Sequence, residues 1–290
     1  MSAAFRKVES ARAIDIDIDR VCILDRACLR LLVRCGVGTC IQLARLVYGG
    51  LHETQRRLLR LYRAGLLERT TVAHTPLRKG EYAYRVSETG HQRLVTRLTP
   101  APPSYVRHML DAVDAVIALN RSDDREHPPV QLWLPDGMTG DRLGHFVRPD
   151  SIVVLTTDAG SAVLALEIDE GTEHRRPIRA KLAAYRRPLA ARPAWHLIVV
   201  VPTLIRADWM IRQAASLELG PRVWVVTRAD LARDSLDTVL RPLAPGSSPA
   251  TVRSLLRPPQ RLMTAPVGSR AWLELLAAGG GETGDGVLAP

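Results

Sequence analysis

Two carboxylates and one amine stand where the surrounding pattern asks for core. In VLALEIDEGTEHRRPIRAKLAAYRR, residues 163–187, an apolar run leads straight into Glu167 and Asp169, and Lys181 follows. Asp150 lies one candidate strand earlier. Residues two apart in a strand share a face, so Glu167 and Asp169 are expected to point the same way. Ile178, Lys181, Leu182 and Tyr185 fall at i, i+3, i+4 and i+7, which sets Lys181 in the apolar stripe of a helix aimed at the sheet. A buried ammonium is costly unless it is paired or loses its proton, so strand-end carboxylates are its natural partners. The chain has only three lysines, Lys7, Lys79 and Lys181, against a large arginine complement. A lysine on an inward face therefore suggests a compact charge that can donate or lose a proton. The hard oxygens of Asp150 and Glu167 suit Mg²⁺ (or Mn²⁺), which takes one or two carboxylates and keeps its waters. Lys181 is expected to position an attacking water or stabilise developing charge, and Asp169 either to ligate or to orient Lys181. That set describes metal-assisted phosphodiester cleavage. The same residues also fit a salt-bridge network around Lys181 with no catalysis.

The elements that would position these groups read as follows. A first amphipathic helix, YVRHMLDAVDAVIALN, precedes a short strand VQLWL and a strand HFVRPDSIVVLTTD with Asp150 near its start. SAVLALEID lacks polar alternation and is expected to be a strand covered on both faces. IRAKLAAYRRPL is a helix, with Pro177 suited to its first turn. The strand WHLIVVVP, the helix RADWMIRQAASLEL and the strand RVWVVT complete an α/β domain with a mixed sheet, over 104–230.

The charge is uneven. Residues 1–108 carry 19 Lys+Arg against 9 Asp+Glu, whereas 109–290 carry 21 against 21, so the whole formal net charge of +10 sits in the first third. This is the electrostatic footprint of a nucleic-acid-binding module joined to a neutral domain. LDRACLRLLVRCG reads as one helix, TCIQLARLVYGG as a second capped by Thr39, and HETQRRLLRLYRAGLL as a third. Two strands around a basic tip and a helix from Ser87 follow. Three helices and a basic hairpin are the ingredients of a winged helix-turn-helix over 20–98, with double-stranded DNA as partner. Arg56, Arg57, Arg60 and Arg63 are expected at groove or phosphate, Gln55 at a base edge, and Arg78 and Lys79 at the wing tip. A winged helix used for protein contacts is the alternative. The three prolines of LTPAPPSY, residues 98–105, place the domain boundary.

The order αβββαβ, with RPD at 148–150, EIDEGTE at 167–173 and KLAAY at 181–185, resembles the replication-relaxation family. The resemblance covers residues 25–230. It implies a role in plasmid or mobile-element replication or mobilisation. It also implies a winged helix joined to a domain similar to the PD-(D/E)XK restriction-endonuclease-like fold. Asp150 then matches the first acid and Glu167 the second, and His108 and Asp114 match a histidine and an acidic position in the family's first nuclease-domain helix. The motif's lysine, two residues after the second acid, is Asp169 here, and Lys181 stands in for it from the next helix. A Mg-dependent endodeoxyribonuclease is one expectation. A non-catalytic regulator or replication accessory, often a homodimer and in contact with replication or mobilisation proteins, is the other.

Other chemistry is set aside. There is no P-loop, no H-E-x-x-H and no G-x-S-x-G. A relaxase would need a tyrosine beside a histidine cluster, which the scattered histidines do not supply. Cys22, Cys28, Cys35 and Cys40 lack zinc spacing and read as small buried side chains. Trp133, Trp195, Trp209 and Trp224 read as core rather than as a platform for bases. The N-terminus has no apolar signal-peptide region and no run approaches a membrane span, so a cytoplasmic protein is expected. The Pro-, Gly-, Ser- and Ala-rich stretch 242–290 is expected to be a flexible tail.

Overall fold

The computed structural model describes residues 22–71, 81–94, 105–121, 128–136, 147–172, 174–257 and 267–277. The chain divides into two compact units, Met1–Val113 with Gly268–Thr283, and Asp114–Val267 with Gly284–Pro290. The division falls inside a helix, Val106–Leu119, rather than in the proline-bearing stretch 98–105.

In the first unit, α1 (Ile23–Cys35) buries Ala27, Cys28, Leu31, Leu32 and Cys35 along one stripe. It ends at Gly36, whose φ of 73° suits glycine. A short strand β1 (Gly38–Thr39) leads into α2 (Cys40–Leu43), which continues as one wider turn over Ala44–Tyr48. Thr39 caps α2 in a reciprocal box: its side chain accepts from Gln42 N–H, and the Gln42 side chain accepts from Thr39 N–H. Helix α3 (Leu51–Arg63) buries Thr54, Leu58 and Leu61, and two antiparallel strands follow, β2 (Leu67–Thr71) and β3 (Tyr82–Val86). The sheet order is β1-β3-β2. Ser87 Oγ accepts from Gly90 N–H at 3.0 Å and starts α4 (Glu88–Leu94), as its sequence predicts. The first half of α5 (Val106–Leu119) closes this core with Val106 and Leu110 against Val37 and Ala83.

The second unit is built on a seven-stranded mixed sheet. Its strands are β4 (Val130–Pro135), β5 (Ser151–Thr157), β6 (Gly160–Ile168), β7 (Trp195–Val201), β8 (Val223–Thr227), β9 (Val239–Pro242) and β10 (Ala250–Thr251). They lie in the order β10-β9-β8-β7-β6-β5-β4. β4, β5 and β6 form an antiparallel meander, and β6, β7 and β8 are parallel. Parallel neighbours need crossovers. These are α6 (Arg175–Ala184) with the short α7 (Arg186–Ala190), and then α8 (Leu204–Ala214). β7 is buried at all seven positions, as its unbroken apolar run requires. Trp133, Trp195 and Trp224 are buried, and Trp209 packs against the core. The molecule is thus of mixed α/β class.

The composition-based expectation of a flexible segment from 242 onward is corrected for the described part of it. After α9 (Arg228–Asp234), β9 and β10 add two strands to the sheet. Leu240, Leu243, Val252 and Leu255 are buried. Arg257 then pairs with Ser161 through two backbone hydrogen bonds of 2.7 and 2.9 Å. The final described helix, α10 (Arg270–Ala277), packs on α1 in the first unit. Proline and glycine raise the cost of regular structure, but a few buried aliphatic side chains at ~1.5–3 kcal/mol each outweigh it.

Candidate functional site

The outward surface of α3 is the first candidate. His52, Gln55, Arg56, Arg60 and Arg63 are exposed, whereas Arg57 is only 20% exposed. Spacing alone does not distinguish these arginines. The structure separates them, because Asp25 of α1 is fully buried beneath the helix. Asp25 accepts from Tyr48 Oη at 3.0 Å and Arg57 Nη1 at 3.2 Å, and from Arg60 Nη2. Arg57 is therefore an anchor of α3 to α1, a correction to its expected role at the groove. Arg60 is anchored by the same acid while staying half-exposed, and Arg56 is held by Glu53 at 2.7–2.9 Å. Gln55 and Arg63 are exposed as expected, and His52 joins them unforeseen. Arg78 and Lys79 lie outside the described residues.

The second candidate is a small pocket at the C-terminal end of β6, lined by Glu167, Asp169, Ile178, Lys181, Leu182 and Tyr185, among others. Ser151 pairs with Leu166 at the end of the β5–β6 ladder, and Asp150, just ahead of β5, reaches the residue that follows Glu167. Asp150 and Glu167 are both buried, and Ile168 N–H donates to Asp150 Oδ2 at 2.6 Å. Glu167 Oε1 accepts from Tyr185 Oη, and Lys181 Nζ forms an ion pair with Oε2. Burial, and then the negative charge of Asp150, push the Glu167 carboxyl up to about 8, against the opposing pull of Lys181 and Tyr185. Burial, and then Glu167, likewise hold the Tyr185 hydroxyl well above its ordinary range, so it remains a donor.

Two expectations change here. Lys181 does meet Glu167, yet its side chain is 34% exposed, so the amine closes the rim of the pocket rather than lying beneath it. Asp169 does not orient Lys181. It lies just beyond β6, and its carboxylate is gripped by both arms of Arg206 at 2.7 and 2.8 Å. The alternation rule placed it correctly only as far as the strand lasted. Arg206 and Tyr185 were the residues that sequence reasoning missed at this site. Tyr185 stood on the predicted stripe, four residues after Lys181, and that spacing was a usable signal; nothing local pointed to Arg206. His108 stacks against Tyr105 at 4.5 Å, and Asp114 is exposed.

Among the described residues no group of three or more His, Cys, Asp or Glu side chains converges to hold a metal. Asp150 and Glu167 remain a fitting donor pair. They are two buried, mutually repelling carboxylates with hard oxygens, whose repulsion a divalent cation relieves.

A family model described as replication-relaxation matches residues 29–201, more than half of the chain. The chain belongs to the replication-relaxation family. For this replication-relaxation protein the matched span includes α3 and all of Asp150, Glu167, Asp169, Lys181 and Tyr185, and stops short of Arg206. Membership suggests a role in plasmid or mobile-element replication or mobilisation. No curated protein and no solved structure matches the chain. No described helix of this family member is long and apolar enough to cross a membrane.

Proposed function

We propose that this replication-relaxation protein binds double-stranded DNA through residues 22–94 acting as a winged helix. We further propose that its second unit is a nuclease-like domain that cuts phosphodiester bonds with Mg²⁺. The DNA-binding half rests on the exposed face of α3, with Gln55, Arg56 and Arg63 directed away from its core and the chain's net positive charge in the same third. Arg57 and Arg60 hold that face in place through Asp25. Residues on such a helix read base edges in the major groove, while arginines beside them fix register on phosphate.

The observation that carries the cleavage reading is two buried acids at neighbouring places, Asp150 bonded to Ile168 N–H next to Glu167, with Lys181 on Glu167. Asp150 and Glu167 would hold the cation. Bound there, it would supply charge neutralisation for the phosphate and a more acidic water. Lys181, half-exposed at the rim, would carry its charge to the departing or attacking oxygen. Tyr185 fixes the rotamer of Glu167. Asp169 with Arg206 braces the loop after β6.

One observation favours a second reading, a non-catalytic DNA-binding accessory. Glu167 already has protein partners, Tyr185 hydrogen-bonded to Oε1 and Lys181 ion-paired with Oε2, an arrangement that also serves as a structural network. The assay that divides the two is plasmid nicking. Supercoiled plasmid with Mg²⁺ or Mn²⁺ is expected to be nicked by the parent and not by Glu167→Ala or Lys181→Ala. Intact plasmid alongside undiminished binding establishes the accessory. Absence of salt-sensitive binding by the parent removes both.

A further inference from the structure

The edge of the large sheet that carries the pocket also carries an apolar projection. β6, β7 and β8 run parallel, so the helices that follow them begin at one edge, the edge where ligands of open α/β sheets gather. The first two residues of α8 are Leu204 and Ile205, 58% and 80% exposed, and Ile205 is the most exposed large apolar side chain among the described residues. They are held rigidly. Thr203 caps the helix, accepting from Arg206 N–H at 3.2 Å. Arg206 is clamped on Asp169, which lines the pocket, and its guanidinium lies 4.0 Å from the Trp209 ring centroid. The projection is therefore tied to the pocket wall by a bidentate ion pair.

The neighbouring segment is basic. From His174 to Arg192 there are seven cations and no carboxylate, although residues 109–290 as a whole are neutral. Several of these arginines brace the fold, Arg179 on Gln213 O and Ser216 Oγ and Arg186 on Glu218. Arg175 and Arg176 are exposed in the first turn of α6, where the helix dipole disfavours cations and the turn itself holds no acid, Glu170 and Glu173 preceding it in the sequence. α6 packs beside α8. Near the projection, Asp169 is neutralised by Arg206 and Asp208 by Arg241 at 2.6 Å.

We propose that Leu204 and Ile205 form a wedge that packs against unstacked bases of DNA, with Arg175 and Arg176 holding the adjoining phosphates, so that the second unit takes a strand with unpaired nucleotides to its pocket. The reading rests on the function proposed above and names the DNA form that the pocket receives. A polyanion is favoured over a second copy of the chain on two counts. Two aliphatic side chains supply far less than the ~800 Å² per partner of a standard protein interface. The exposed Arg175 and Arg176 also carry the charge that a polyanion complements. Leu and Ile are among the side chains that enter between base steps and unstack them, and phosphate-binding arginines beside them hold the opened strand.

The test uses the full chain and two fluorescent duplexes in Mg²⁺-free buffer, one fully paired and one with a short central bubble, with Kd measured by anisotropy. The parent is expected to prefer the bubble by about tenfold, the worth of roughly one base contact. Leu204→Ser/Ile205→Ser is expected to abolish that preference while leaving affinity for the paired duplex, which α3 supplies, unchanged. Arg175→Ala/Arg176→Ala is expected to weaken bubble binding with a shallower salt dependence. Equal affinity of the parent for both duplexes overturns the wedge while leaving the winged-helix reading intact. So does a preference that survives the Leu204→Ser/Ile205→Ser change. Dissociation of a dimer by that double variant, read by light scattering, overturns it in favour of a second copy. Loss of all duplex binding on Arg56→Ala/Arg63→Ala is the separate check on α3.

Discussion

Glu167 sits between opposing demands. Its carboxyl is buried beside Asp150, which favours the protonated form, while Lys181 and Tyr185 supply donors that favour the charged one. Such a poise is typical of sites and also of structural networks, so activity rather than titration decides between them. Another buried titratable residue gives a cleaner pH prediction. His196 of β7 accepts from Trp224 Nε1–H through Nδ1 at 3.2 Å, and burial, then Arg222 and Arg257, lower its pKa from 6.5 to about 4. The imidazole is neutral when folded and becomes protonated first in the unfolded chain. Its contribution to stability is full above pH 6.5 and is lost as pH falls through about 4. The loss amounts to roughly 3 kcal/mol at 1.36 kcal/mol per pKa unit. Urea unfolding midpoints taken between pH 7 and pH 4 are expected to fall, and His196→Gln to flatten the fall.

Element by element, α3 shows how one helix can divide a set of arginines between scaffold and surface. Arg57→Ala leaves the buried Asp25 short of a donor and is expected to cost about 1–3 kcal/mol of stability in a denaturant melt. Arg63→Ala, on the exposed face, is expected to leave the melt within about 0.5 kcal/mol while weakening DNA binding and lowering its salt slope by about 1. The reverse pattern would mean that the helix presents another face. The three-helix and hairpin pattern around α3 was legible from its periodicity and caps. The partnership with Asp25 was not, since nothing in residues 51–63 marks which side meets the start of α1.

Across the whole molecule, the 239–257 segment completes the sheet and then returns to pair with the start of β6. Gly160 makes the return possible. Its φ is 137°, and a Cβ built there would lie 1.8 Å from Arg257 O. Gly160→Ala is therefore expected to unseat the Arg257–Ser161 bridge and cost about 2 kcal/mol or more, visible as a lowered Tm and faster proteolysis near 257. Deletion of 239–290 removes β9 and β10 and bares β8 as an edge, so that variant is expected to aggregate rather than to behave as the parent lacking a tail.

The sequence by itself determined the local matters: the period of each helix and strand, the cap at Thr39, the polar interruption of a buried strand by Glu167, and the stripe that carries Lys181 and Tyr185. These depend on neighbours three or four residues apart, which a reading of spacing can follow. Tertiary structure alone decided the rest. It gave Asp169 to Arg206, 37 residues on, set Arg57 on Asp25, and drew a proline- and glycine-bearing segment into the sheet. Each is a contact between residues far apart in the chain, and it forms because a buried charge or an uncovered apolar edge costs more than ordering the backbone that satisfies it.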